Sequence, residues 1–317
     1  MKTKALIYII SSEQAPAKGE RADRVLSRLE GLPSRSQLKL WFENSRIRRG
    51  LESLEPNSKI FPDDKIELMP MVSAPHNLEP KKMELKIFHE DEDLIVLYKP
   101  KGLSMHPGAS KNPEATLVHG LLFHSKKLST KSGEFRAGIV HRLDKDTEGI
   151  VVVAKNNEVH DALSKQFSER SIDRAYWALV YGKFPAKLQI DAPIGRHPKD
   201  RKKMAVVQGD RGKPSSTQAK LIQYFSENYS LVECKLMSGR THQIRVHLSH
   251  KGYPLLGDPV YSRARKMKWS DAKEDAFRNL KGQALCAFRL GFIHPVTKEK
   301  LKFEVEYPKW MKIFLKD

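Results

Sequence analysis

The sequence predicts an α+β protein of two domains, a large one built on a mixed β-sheet and a small α/β one before it. Three observations carry that expectation. The 317 residues are more than a single ordinary domain needs. From about residue 86 onward strand signals outnumber helical patterns, without the regular β–α alternation of a parallel fold. Residues 71–85 carry turn formers and charge with no period, as in Val72-Ser73-Ala74-Pro75-His76-Asn77 and Pro80-Lys81-Lys82, and read as a linker.

Residues 1–20 read as an N-terminal extension. The apolar stretch Ala5 to Ile10 is short for a signal peptide, and Ser11-Ser12-Glu13 follows it without a cleavage site. No run approaches the ~20 apolar residues that span a bilayer. The expected compartment is the cytoplasm, with no membrane partner. In residues 21–70, Val25, Leu26 and Leu29 make a helical stripe. After Gly31-Leu32-Pro33, Ser34 or Ser36 can cap a second helix carrying Leu38, Trp41 and Phe42. Short strands are expected around Ile47 and Ile60, and a Pro62-Asp63-Asp64 turn leads into an alternating strand over 65–69.

In residues 86–317 the strand-like runs are 93–98, 149–154, 175–181, 230–236 and 284–290. Helical patterns fall at 115–124, 157–168, 241–250 and 271–280. The two cysteines, Cys234 and Cys286, sit among apolar residues with no partner at metal-ligand spacing, so buried free thiols are expected.

Lys and Arg number 57 against 38 Asp and Glu, a formal net charge of +19. That excess favours a polyanionic partner, since neutralising phosphates releases counterions. It is not evenly spread. Arg35, Lys39, Arg46, Arg48 and Arg49 fall within a stretch that holds one acid, Glu43. On charge alone this is equally a solvated helix face.

Two polar clusters could carry chemistry. Gly138-Ile139-Val140-His141-Arg142-Leu143-Asp144-Lys145-Asp146-Thr147-Glu148-Gly149 lies immediately before an apolar strand, a placement that suits a site and also suits a charged surface loop. Ser238-Gly239-Arg240-Thr241-His242-Gln243-Ile244-Arg245-Val246-His247 follows a strand, and Thr241 can cap a helix that presents Arg245. The spacing of His242, His247 and His250 does not match a zinc motif, so no metal is expected. No phosphate-cradling glycine loop, nucleophile elbow or dinucleotide fingerprint occurs.

These clusters resemble the signatures of the RluA-type pseudouridine synthases. The resemblance rests on His141-Arg142-Leu143-Asp144 and on Gly239 to His247, continued by Pro254-Leu255-Leu256-Gly257-Asp258. It extends to Asp91 to Val96, Lys99-Pro100-Lys101-Gly102-Leu103 with His106-Pro107, Arg174 to Val180, Pro193 to Arg196, and Phe292-Ile293-His294-Pro295. Together these cover nearly all of 86–308. The family's usual Ser or Thr before Gly149 is Glu148 here, so altered loop packing is expected. Residues 21–70, with Arg21-Ala22-Asp23-Arg24, Ser34-Arg35-Ser36-Gln37 and Pro62-Asp63-Asp64, are similar to the small RNA-binding domain of ribosomal small-subunit protein S-four. The Asn-Gly turn common after its basic strand is replaced by Arg49-Gly50.

The resemblance implies isomerisation of uridine to pseudouridine in structured RNA, with Asp144 as nucleophile, Arg245 as its paired cation and Tyr176 against the uracil. Arg142 would fill the space of the flipped base, and Arg240, His242 and Gln243 would bind substrate. Arg35, Lys39, Arg46, Arg48 and Arg49 would contact RNA. No cofactor is implied, because the reaction adds and removes no atoms. Large-subunit ribosomal RNA, or its assembly intermediate, is the expected partner over tRNA, and the chain is expected to act as a monomer. Two rivals stand beside this reading: a non-catalytic RNA-binding factor that keeps the fold, and a glycosidase using Asp144 and Asp146.

Overall fold

The residues Glu148–Ala154 are buried along their whole length and form an inner strand of the large sheet. The computed structural model describes residues 5–29, 32, 35–69, 78–107, 114–200, 203–226, 228–263 and 265–316, without the side chains of 35–37, 40 and 210. Contacts divide the chain into two compact units, Met1–Asn77 and Leu78–Asp317.

The small unit runs β1 (Leu6–Ile9), β2 (Glu20–Arg21), α1 (Ala22–Leu26), α2 (Arg35–Glu43), β3 (Ile47–Arg49), β4 (Glu52–Ser53), β5 (Lys59–Ile60) and β6 (Lys65–Leu68). Its four-stranded sheet has the order β1-β6-β3-β4, and β2 pairs with β5. Val25, Leu26, Leu38, Phe42, Ile47 and Ile66 fill its core. The described part of the expected N-terminal extension, residues 5–20, joins the small unit: β1 pairs along β6, and Ile10 is fully buried. The apolar stretch that resembled a targeting segment is an edge strand. The Ser34 cap and residues 71–77 of the expected linker lie outside the described residues. Its remainder is not free chain, since Leu78 and Leu85 pack on the core of the large unit.

The large unit runs β7 (Lys86–Glu90), β8 (Leu94–Lys99), α3 (Leu117–His124), β9 (Glu148–Ala154), α4 (Asn157–Ser168), β10 (Asp173–Tyr181), β11 (Lys187–Asp191), β12 (Ile194–Arg196) and β13 (Met204–Val206). It continues with β14 (Ser216–Phe225), β15 (Tyr229–Leu236), α5 (Gln243–His250), α6 (Asp271–Arg278), β16 (Leu285–Ile293), β17 (Lys300–Glu304) and α7 (Lys309–Phe314). Nine strands form one sheet in the order β11-β14-β15-β10-β16-β9-β8-β7, with β17 on β16. The β9–β16 pairing is parallel and its neighbours are antiparallel, so the sheet is mixed.

Strand alternation sorts the apolar residues onto two faces. Ile95, Leu97, Val151 and Val153 pack with α3 and α5, through Leu117, Leu121, Ile244 and Leu248. Leu94, Val96, Ile150 and Val152 pack against Val159 and Leu163 of α4. Burying each such side chain is worth about 1.5–3 kcal/mol, and a one-residue slip would exchange the faces, so register is firmly set. Gly149 cannot be replaced at the β9–β16 junction. Its φ is +131°, and a Cβ would come within 2.2 Å of the Ala287 carbonyl oxygen. Both cysteines are buried, and burial pushes their thiol pKa values up. Among the described residues no helix is long and apolar enough to cross a membrane.

Candidate active site

Asp144 sits on the loop that enters β9, and the structure holds this loop from several directions. Leu143 is buried in the core beside it. The fully buried Lys99 at the end of β8 donates its ammonium to the carbonyls of Pro100, Leu103 and Lys145, at 2.8, 2.9 and 3.0 Å. Gly102 N–H donates to the same Lys145 carbonyl at 3.0 Å. Gln283 donates to the Thr147 hydroxyl at 2.8 Å. Burial pushes the Lys99 pKa down to about 8, against the pull of Asp146, Glu148 and Asp144.

From α5, Arg245 reaches the nucleophile candidate across 101 positions of sequence: its Nη1 donates to Asp144 Oδ2 at 3.0 Å. The rest of the guanidinium is gripped by Asp258, with Nε to Oδ2 at 2.7 Å and Nη2 to Oδ1 at 2.9 Å. Asp258 Oδ1 also accepts from the backbone N–H groups of Val260 and Tyr261 at 2.9 and 3.0 Å. Arg245 is 5% exposed and the Asp258 side chain 0%. Burial opposes the Arg245 charge, but the bonds and charges of Asp258 and Asp144 outweigh it and keep the guanidinium protonated. Asp144 therefore meets an aimed cation while, among the described residues, its Oδ1 has no hydrogen bond. The planar fork is what allows one guanidinium to serve two carboxylates.

Tyr176 lines the same cleft from β10. Burial raises its phenol pKa, Arg174 lowers it and Asp144 adds to the rise, so the hydroxyl is held protonated. His242 stands at the start of α5 with its Nε2 3.9 Å from Asp144 Oδ1. Its Nδ1 meets the Tyr261 hydroxyl at 2.9 Å. Burial pushes the His242 pKa down, so the ring is neutral at neutral pH, although Asp144 pulls the other way. The cap of α5 is His242 itself, in a left-handed conformation at φ 57°, and not Thr241 as its residue type suggests.

Arg142 and Arg240 are exposed on the walls of the cleft. Gln243 also borders it but is not disposed to bind a substrate. Its amide donates to the Ser216 carbonyl and Thr217 hydroxyl and accepts from Ser238 and the Arg240 N–H, at 2.8 to 3.0 Å. It braces the 238–243 turn. His247 is likewise a brace, bonded to Thr217 and the Ala192 carbonyl. The residues that sequence patterns alone did not single out as site members are Asp258, Tyr261 and Lys99, each of which acts on the site by holding another group. The cleft itself measures about 460 Å3.

In the small unit Arg46 is exposed, and Arg48 donates to the Ser45 carbonyl. Lys39 pairs with Glu43 at 3.5 Å. Arg49 is committed to Glu52 and Asp64, at 2.9 and 3.0 Å, which leaves it less free for a phosphate than its sequence neighbours imply. The side chain of Arg35 lies outside the described residues.

One group of side chains, Asp91, Asp93 and His294, approaches the spacing of a metal site. Asp91 already accepts from the N–H groups of Asp93 and Leu94 and meets His89 and His294, at 2.8 to 3.1 Å. These bonds outweigh its burial and bring its pKa down to about 2. The group locks the β7–β8 turn to the segment after β16.

Comparison with known proteins adds three findings. A family model described as RNA pseudouridylate synthase matches residues 93–250. The chain is similar to the ribosomal large subunit pseudouridine synthase D of Zymomonas mobilis, with 42% identity over 94% of this chain and 93% of that one. It is similar to an RNA pseudouridine synthase of Bacillus subtilis, with 39% identity over 96% and 95%. Among solved structures, human RNA pseudouridylate synthase domain containing 4 superposes with a TM-score of 0.55 at 25% identity, over 73% of this chain and 91% of that one.

Proposed function

We propose, given that the chain belongs to the RNA pseudouridylate synthase family, that it isomerises specific uridines of large-subunit ribosomal RNA with Asp144 as nucleophile. The observation that carries this reading is the chain Asp258–Arg245–Asp144, buried at Asp258 and Arg245, which ends at the cleft on a carboxylate oxygen with no hydrogen bond among the described residues. In the reaction the N1–C1′ bond breaks, the uracil turns, and C5 joins C1′. The C5 proton leaves and N1 takes one, so no atom is gained or lost. Arg245 holds Oδ2 of Asp144 and sets a positive charge against that carboxylate, while Oδ1 is presented to the ribose. Tyr176 offers an aromatic face to uracil, and its protonated hydroxyl is available for the proton transfer that follows. Arg142, exposed two residues before the nucleophile, takes the place of the flipped base in the stack. Arg240, exposed on the cleft wall, contacts the RNA backbone, and neutral His242 faces the reacting sugar beside Asp144.

The ribosomal substrate is supported by relatives named for the large ribosomal subunit. In this reading the small unit is an RNA anchor of the ribosomal S-four kind, with Arg46 and Arg48 its open cations. The enzyme acts as a cytoplasmic monomer. Asp144→Asn tests the proposal. It keeps shape and an acceptor for Arg245, so RNA affinity should stay within about threefold while tritium release from uridine-labelled ribosomal RNA is abolished. Turnover by this variant would remove Asp144 from the nucleophile role.

A further inference from the structure

Among the described lysines and arginines of the large unit, Arg174 stands apart in having a buried donor with no partner among the described residues. It precedes Tyr176 by two positions on β10, so strand alternation turns both side chains to one face, and both line the cleft with Asp144. Its Nε is buried and makes no hydrogen bond. Among the described residues no carboxylate pairs with its guanidinium. Its neighbours include an aromatic ring and a glycine. The guanidinium lies over the ring of Phe167, from the last turn of α4, at 5.4 Å. The same ring stacks on His141 at 4.6 Å. Gly239 abuts it so closely that a Cβ there would come within 3.0 Å of Nη1.

Such an arrangement is costly as it stands. Leaving a buried donor of a charged group unmade costs the full desolvation of that group, and an aromatic face returns only part of it. Native structures rarely keep such a donor without a reason. The cation nevertheless opens onto a cleft where the nearby carboxylate, Asp144, is engaged by Arg245. Arg136, Arg142 and Arg240 add exposed positive charge to the walls. Along a strand, Arg174 and Tyr176 are spaced by about 6.6 Å, a distance comparable to the reach from a ribose to its flanking phosphate. A planar fork held by an aromatic ring and a glycine is suited to two parallel bonds with phosphate oxygens.

We propose that Arg174 is the binding site for one RNA phosphate next to the flipped uridine, with Phe167 and Gly239 holding its fork open. This rests on the reading of the cleft as the uridine site, and it assigns to Arg174 the fixing of the backbone on which that uridine turns.

The test uses the full chain and ribosomal RNA hairpins containing the uridine that the parent enzyme modifies, mapped on the same RNA. In each hairpin one linkage near that uridine is a neutral methylphosphonate. The parent should lose about tenfold in affinity at one adjacent linkage. Arg174→Gln should lose about as much on the unmodified hairpin, show no further loss at that linkage, and have a log Kd against log salt slope shallower by about 0.7–0.9. Arg174→Lys should restore most of the sensitivity. Gly239→Ala, which displaces the guanidinium without removing it, should reduce the sensitivity and supplies the same reading if Arg174→Gln does not fold. A full methylphosphonate loss at every linkage in both Arg174→Gln and Gly239→Ala would overturn the proposal. So would coupling to replacement of a uracil carbonyl and to no linkage. A parent that binds with this linkage dependence yet forms no pseudouridine would instead refute the catalytic reading and leave the phosphate site standing.

Discussion

Asp258→Asn is the perturbation that asks most of the site's architecture. The buried carboxylate accepts four hydrogen bonds, two from Arg245 and two from the backbone of Val260 and Tyr261. An asparagine supplies one carbonyl oxygen. If that oxygen keeps the Oδ1 position, the amide nitrogen falls opposite Arg245 Nε, where a 2.7 Å bond now lies, and donor meets donor. Breaking a buried ion pair by removing one partner costs about 3–5 kcal/mol. Asp144 remains as a counter-charge, so the lower figure applies. For a unit of 240 residues, Leu78–Asp317, about 2.1 cal/mol/K per residue gives an unfolding entropy near 0.5 kcal/mol/K. About 3 kcal/mol therefore lowers Tm by about 6 °C. The rate should fall as well, by about 10–100-fold, because a guanidinium left with one carboxylate no longer aims Nη1 at Asp144 Oδ2. Calorimetry gives the first number and single-turnover tritium release on ribosomal RNA the second. Arg245→Met with Asp258→Leu separates them: removing both charges should restore much of the Tm and none of the rate. A Tm within about 1 °C of the parent and a rate within twofold for Asp258→Asn would refute the view that Asp258 holds Arg245 in position.

Three further outcomes follow from the same geometry. Lys99→Met leaves the Pro100 and Leu103 carbonyls without their donor and should cost about 2–4 kcal/mol, with slower turnover because Lys145 follows the nucleophile; parent-like Tm and rate would contradict the staple. His141 accepts from Val152 N–H, and burial, aided by the Arg174 charge, pushes its pKa from 6.5 down to about 3. Between those values the unfolded chain binds more protons, so this contribution to stability is lost as pH falls, by about 2.5 kcal/mol from pH ~6.5 to ~4.5. His141→Gln should flatten that part of the stability profile measured by denaturant unfolding, and an unchanged profile would count against it. Removing residues 1–77 should leave a folded enzyme with a saturated single-turnover rate within about tenfold of the parent. If Arg46 and Arg48 contact phosphates, its salt slope should be shallower by about 1.5; equal slopes would deny the small unit a part in RNA binding.

Where local pattern decides the structure, the sequence was readable. Residues 157–168 form α4 as expected, because Asn156 caps it by accepting from Val159 N–H at 2.9 Å and an apolar stripe faces the sheet. The run 149–154 is a strand for a comparably local reason, the β-branched series Ile150 to Val153. Long-range partners are what escaped. β14 was not anticipated, since its buried residues are Thr217, Ala219 and Phe225 among lysines and glutamines. β1 resembled a targeting stretch because Leu6, Ile7 and Ile9 stay largely exposed and only Ile10 is buried. The α5 cap was misjudged because the Gln243 side chain, and not Thr241, ties the preceding turn. Asp144 and Arg245 were singled out by resemblance and not by any local rule. Asp258 lies thirteen residues beyond Arg245, and nothing in its neighbours marks it as the partner. The unpartnered state of Arg174 is a property of the folded chain alone.

The cations around the site fall into two populations that do different work. Behind the Asp144 loop the cations are tied inward. Lys99 is ringed by carbonyls. Lys101 donates to the Gln283 carbonyl at 2.8 Å and lies over the Trp310 ring at 4.6 Å. Glu148, the residue standing where the family has Ser or Thr, belongs to this inner group. It is buried, accepts from the Tyr98 hydroxyl at 2.7 Å and from Trp310 Nε1, and so joins β8, β9 and α7 directly behind the nucleophile loop. Burial pushes Lys101 down to about 8 while Glu148 holds its charge up, so this carboxylate has a cation close by. The altered residue thus brings its own packing, and the loop on its other side keeps its anchors. On the cleft walls the cations Arg136, Arg142, Arg174 and Arg240 have no carboxylate partner among the described residues. Arg245 bridges the populations, gripped by Asp258 behind and engaging Asp144 in front. Substitutions of the first population should therefore appear in Tm with little change in salt slope, and those of the second in salt slope with little change in Tm. Arg245 and Asp258, acting across the boundary, are the positions where rate and stability should fall together.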